Sequence, residues 1–78
     1  MFHALSEILA HKINLPAERI EPEATQEDID LDSLAIVELS VALEEDFGVR
    51  ISEEELRDAP TIGDIARLVE QRRAAANA

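Results

Sequence analysis

Residues 33–48, SLAIVELSVALEEDFG, decide the fold. From Ser33 to Phe47 there is no glycine or proline and helix formers dominate, so the stretch predicts one unbroken helix. Gly48 follows at once, at the position where a left-handed residue closes a helix. Advancing about 100 degrees per residue, Ile36, Leu39, Leu43 and Phe47 converge on one sector with Ser40 beside them, which is the expected core face. Roughly opposite lie Leu34 and Val41, with Val37 nearer the edge, interleaved with Glu38, Glu44 and Glu45; Ser33 opens the same side. One apolar stripe is enough to seat a helix in a small bundle. A second, mixed with carboxylates, points to a docking surface that offers apolar area and negative charge together.

On the N-terminal side, Phe2, Leu5, Leu9 and Ile13, with Ile8 beside them, recur at helical spacing until Leu15-Pro16, so a first helix is expected over about residues 2–14. Between Leu15 and Asp32 no period holds, and Pro16, Pro22, Thr25 and several acids predict a long connection pinned by Ile20, Ile29 and Leu31. On the C-terminal side, Ser52-Glu53-Glu54-Glu55 reads as a capping box, with Ser52 as N-cap, opening a short helix over 53–58. Pro60-Thr61 starts a last helix over 61–73, with Thr61 as N-cap, Ile62, Ile65, Leu68 and Val69 on its apolar face, and Arg72 and Arg73 near its end, where cations suit the dipole. Residues 74–78 are expected to fray. The result is a single domain over 1–78 with an all-α fold: a small antiparallel bundle of three long helices and one short one, with a long loop between the first two.

A chain of 78 residues has room for one core and none for a deep enclosed active site. Its 46% hydrophobic content is too high for disorder, and with no cysteine there are neither disulfides nor thiolate metal sites. Eighteen acids against seven bases give a formal charge of −11, which repels phosphate backbones and anionic headgroups, so nucleic acid binding and membrane insertion are excluded. The N-terminus opens on an amphipathic pattern rather than on a charged segment followed by an apolar block, and the expectation is a mature, soluble, cytoplasmic chain.

The segment Asp32-Ser33-Leu34 opening a helix, followed by Ile36-Val37-Glu38-Leu39 and Ala42-Leu43-Glu44-Glu45-Asp46-Phe47-Gly48, resembles the acyl carrier protein family. The resemblance continues through Ile51, the acids after Ser52, and Thr61-Ile62-Gly63-Asp64-Ile65, and so covers nearly the whole chain. It implies that Ser33 receives 4′-phosphopantetheine from coenzyme A, and that acyl groups ride on the thiol of that arm in fatty-acid or polyketide synthesis. It implies a monomeric carrier that is no enzyme itself. Its partners are then a phosphopantetheinyl transferase, a ketosynthase, an acyltransferase and other acyl-processing enzymes with basic docking patches. Asp32 would cap the helix and help the transferase recognise the site. Leu34, Val37, Glu38, Val41, Glu44 and Glu45 would form the docking face with it.

Two positions depart from the family pattern. Asp30 stands where a glycine is usual before the site, and the preceding loop has Gln26 in place of a frequent aromatic residue and is about one residue short. Ala35 after Leu34 resembles carriers of aromatic polyketide assembly more than those of fatty-acid synthesis.

Other chemistries fit worse. Asp28, Asp30 and Asp32 alternate like the start of a calcium loop, but counting from Asp28 the sixth position is Ser33 instead of glycine and the twelfth is Leu39 instead of glutamate. His3 and His11 lie two turns apart on the first helix and supply neither a catalytic nor a metal pair. No glycine-framed elbow surrounds Ser33, against a serine hydrolase. An unmodified acidic adaptor would keep the Leu34, Val37 and Val41 stripe but has no use for a serine at its head.

Overall fold

The computed structural model describes residues 1–29 and 31–77, and among these it is all-helical. The elements run α1 (Phe2–His11), a 3₁₀ turn (Ala17–Arg19), α2 (Ser33–Phe47), α3 (Glu53–Asp58) and α4 (Ile62–Asn77). α2 has the expected bounds for the expected reasons. Asp32 caps its start, with Oδ1 accepting the Ala35 N–H at 2.8 Å, and Gly48 closes it at φ 67, its N–H donating to the Glu44 carbonyl.

Two ends differ from the sequence expectation. α1 stops at His11 instead of residue 14, because Asn14 takes the left-handed conformation at φ 62, which asparagine tolerates better than most residues. The Ile13 and Leu15 N–H groups turn back to the Ile8 and Leu9 carbonyls, and Ile13 packs against the core from outside the helix. α4 runs past the expected end at 73 and is helical to Asn77, since alanines are the strongest helix formers and no glycine or proline interrupts Ala74–Ala76. Ala78 lies outside the described residues.

Leu5, Leu9, Ile29, Leu39, Leu43, Leu56, Ile62, Ile65 and Val69 are fully buried, with Ile36 close to it, so all four helices and the long loop feed one core. Every buried residue described is apolar. Phe47 packs against the core from the expected inner face but is only partly buried, and Arg73 sits over its ring at 5.4 Å. Ala35 and Ala42 are buried and complete the inner face of α2.

The loop between α1 and α2 is strapped to the start of α4. The Gly63 N–H donates to the Pro22 carbonyl at 2.9 Å, the Ile62 N–H to the Ala24 carbonyl at 3.0 Å, and Thr25 and Thr61 form an isolated antiparallel bridge. A Cβ on Gly63 would stand 2.9 Å from the Pro22 carbonyl oxygen, so the backbones could not keep this distance. Gly63→Ala is expected to cost about 1–3 kcal/mol by overpacking, read as a lowered urea midpoint. An unchanged midpoint would show that the strap yields freely.

At the other end of α3 the capping box is complete: the Ser52 hydroxyl accepts the Glu55 N–H and the Glu55 carboxylate accepts the Ser52 N–H. The same carboxylate pairs with Arg72 of α4, whose guanidinium also donates to the Arg50 carbonyl at 2.8 Å. The hydrogen bond from Arg72, followed by that from Ser52, lowers the Glu55 pKa from 4.5 to about 2. A depressed carboxylate stabilises the fold above its unfolded value, and this contribution is lost as pH falls from 4.5 toward 2. Glu55→Gln keeps a capping acceptor but not the charge. It is expected to melt below the wild type at neutral pH, with the gap closing through that acid window; a gap of constant size would contradict the assignment.

Candidate functional site

Of the four serines, three are explained by their surroundings. The Ser6 hydroxyl donates to the His3 carbonyl at 2.7 Å, Ser40 to the Ile51 carbonyl at 2.9 Å, and Ser52 is the cap of α3. Ser33 is exposed at the first turn of α2, and its hydroxyl has no hydrogen-bond partner among the described residues. Asp32 takes the Ala35 N–H through its side chain and the Ile36 N–H through its carbonyl, leaving the Ser33 and Leu34 N–H groups at the open end of the helix. That end suits an anion: first-turn N–H groups without an intrahelical partner and the positive pole of the helix favour a phosphodiester, and the Asp32 carboxylate, which would oppose it, is turned to capping.

The outward side of α2 matches the expected stripe. Leu34, Val37 and Val41 are 67%, 39% and 51% exposed, and they are the large apolar side chains left in solvent among the described residues. Asp32, Glu38, Glu44 and Glu45 are exposed around them. The flanks of this face are set by neighbours. On one side Asp46 pairs at 2.8 Å with Lys12, just past the end of α1, which raises the lysine's pKa; on the other, Ser40 binds the Ile51 carbonyl and Glu44 meets Arg50 at 3.5 Å. Glu38 and Glu45 make no ion pair among the described residues.

Beside Ser33, on the loop side, a surface depression of about 360 Å³ is lined by Gln26, Glu27, Leu31 and Asp32. Two of the alternating aspartates, Asp28 and Asp32, have local structural roles. Asp28 is spent on a local turn, its carboxylate accepting the Thr25 N–H and its own N–H donating to Thr25 Oγ1, and Asp32 is the cap. Asp30, the position that departs from the family pattern, lies outside the described residues. His3 and His11 are exposed, and His3 pairs with Glu7. Among the described residues no helix is long and apolar enough to cross a membrane.

The family model described as phosphopantetheine attachment site matches residues 3–69, most of the chain. The chain belongs to the acyl carrier protein family. An acyl carrier protein of Acidothermus cellulolyticus is 43% identical over 61 residues, covering 77% of this chain and 73% of its own. One of Saccharopolyspora erythraea is 38% identical over 69 residues, 87% of this chain and 73% of the relative. One of Helicobacter pylori is 36% identical over 76 residues, spanning 96% of this chain and 97% of the relative. Members of the acyl carrier protein family are carriers rather than catalysts, and 4′-phosphopantetheine is the group they bear.

Gln26, noted in the sequence only as a departure from the family pattern, has a structural role that the sequence did not show. Its side-chain amide donates to the carbonyls of Leu56, Arg57 and Ala59 at 2.6, 3.3 and 2.9 Å, joining the loop to the end of α3.

Proposed function

We propose that residues 1–78 form a single carrier domain in which Ser33 bears the phosphopantetheine arm and α2 presents it to acyl-processing enzymes. The observation that carries this reading is the place of Ser33: an exposed serine without a hydrogen-bond partner, at the head of a helix whose outward face is apolar and acidic. In the modification step the Ser33 Oγ attacks the β-phosphorus of coenzyme A. An O–P bond forms, the pyrophosphate P–O bond breaks, adenosine 3′,5′-bisphosphate leaves, and the hydroxyl proton passes to a base of the transferase. The arm supplies a thiol that holds acyl groups as thioesters.

The chain's own part is positional. Asp32 ends the loop, caps α2 and stands beside the serine for the transferase to read. Leu34, Val37 and Val41 offer apolar contact, and Glu38, Glu44 and Glu45 steer basic surfaces toward it. The partners are a phosphopantetheinyl transferase, then a ketosynthase, an acyltransferase and related enzymes of fatty-acid or polyketide synthesis in the cytoplasm, met by a monomeric carrier. Incubation with coenzyme A, magnesium and a broad-specificity transferase should add one arm per chain by intact-protein mass spectrometry, and an acyl-coenzyme A donor should add an acylated arm. A chain that folds and gains no mass would leave the adaptor reading in place.

A further inference from the structure

α3 has six residues, too few for its carbonyls to be satisfied mostly from within. At its C-terminus the Ala59 N–H returns to Leu56, but the next residue is Pro60, which has no N–H to give. The missing donors come from the loop before the attachment serine. Gln26 has two side-chain hydrogens, and they are shared among the Leu56, Arg57 and Ala59 carbonyls. Its own backbone carbonyl points the other way and accepts the Leu31 N–H at 2.9 Å. Leu31 is buried, and Asp32 and Ser33 follow it directly. One residue therefore holds α3 with its side chain and the approach to Ser33 with its main chain.

The geometry points to Gln26 as a positioning residue for the modification of Ser33: its amide clasps the end of α3 and so fixes the Leu31-Asp32-Ser33 segment that presents the hydroxyl. This rests on the reading of Ser33 as the attachment site. Other tethers bind the same loop, at Pro22, at Ala24 and through the Thr25–Thr61 bridge, but all lie upstream of residue 26 and none reaches the segment before the serine. The Thr25 and Asp28 turn is internal to the loop. Among the described residues, Gln26 is the side chain that links this loop to α3 by hydrogen bonds. Loss of the clasp leaves the docking face on α2 intact and loosens the nucleophile, so the effect falls on the chemical step rather than on encounter.

Gln26→Leu keeps the size and removes the donors; Gln26→Lys restores donors at similar reach. With the wild-type chain, coenzyme A and a phosphopantetheinyl transferase as reference, Gln26→Leu should lower kcat about tenfold with KM changed by no more than about twofold. Gln26→Lys should recover most of kcat. Amide exchange supplies a readout independent of the modification: in Gln26→Leu the Leu31 N–H should lose protection while those of Leu39 and Leu43 keep theirs. In the wild type the Gln26 side-chain amide should exchange more slowly than that of exposed Gln71, a comparison that holds even if a variant does not fold. The proposal is overturned by a wild-type kcat in Gln26→Leu, by failure of Gln26→Lys to recover, by protection falling equally throughout α2, or by equal exchange of the two glutamine amides. A wild-type chain that gains no arm at all overturns the reading of Ser33 instead, so the two failures are distinct.

Discussion

Ser33→Ala should abolish transfer of the phosphopantetheine arm and leave the fold as it is. The hydroxyl is the attacking group, so its removal takes away the reaction rather than slowing it. The cost to stability should stay within about 0.5 kcal/mol, because an exposed first-turn side chain without hydrogen bonds has nothing to lose and alanine is the better helix former. Ser6→Ala, Ser40→Ala and Ser52→Ala form the opposite set. Each loses a hydrogen bond that the structure shows, and Ser52→Ala should cost about 1 kcal/mol as the loss of a cap, yet all three should accept the arm at the normal level. Mass spectrometry and thermal melting of the four variants separate the two roles. Residual modification of Ser33→Ala would move the site elsewhere.

The second large effect separates folding from docking on one helix. Leu43 is fully buried at the centre of the inner face of α2, so Leu43→Ala should cost about 2–5 kcal/mol, a large share of what a domain this small possesses. Phe47→Ala should cost less, since its ring is only partly buried where it packs against the core. Val41→Glu and Glu38→Lys alter only the exposed side and should melt like the wild type. Their deficit should appear with partners: acyl transfer should fall about tenfold or more, and for Glu38→Lys the loss should shrink in high salt. If both transfer normally, or unfold as Leu43→Ala does, the outward face of α2 is not the recognition surface.

The elements that could be read from the sequence are those whose ends are set by local hydrogen-bond chemistry. Asp32 and Gly48 bound α2, and Ser52 with Glu55 opens α3; at the start of α4 the Thr61 hydroxyl accepts the Asp64 N–H. Each needs only residues three or four apart. The outward stripe was legible for a related reason: the 3.6-residue period separates Leu34, Val37 and Val41 from Leu39 and Leu43 whatever the rest of the chain does. The end of α1 was in principle legible too, as Asn14 is a residue that accepts positive φ, but the apolar period running on to Ile13 masks it. At the C-terminus the alanines carry no stop signal, and their helix runs to Asn77.

What no local pattern could reveal are contacts between distant segments. Part of the loop before α2 is held by backbone groups, Pro22 to Gly63 and Ala24 to Ile62, and a backbone bond leaves no mark on side-chain type. Gln26 is a single polar residue in a polar loop, and its role depends on the missing N–H of Pro60, more than thirty positions away. The pairing of Glu44 with Arg50 and of Glu55 with Arg72 likewise depends on where Arg50 and α4 fall relative to α2 and α3.

The central claim is that this one serine bears the arm, and fragmentation mass spectrometry of the modified wild-type chain tests it most directly. The account predicts a single added phosphopantetheine, confined to the proteolytic peptide that contains Asp32-Ser33-Leu34, with fragment ions assigning it to Ser33. An arm found on Ser6, Ser40 or Ser52, or spread over two serines, would contradict it.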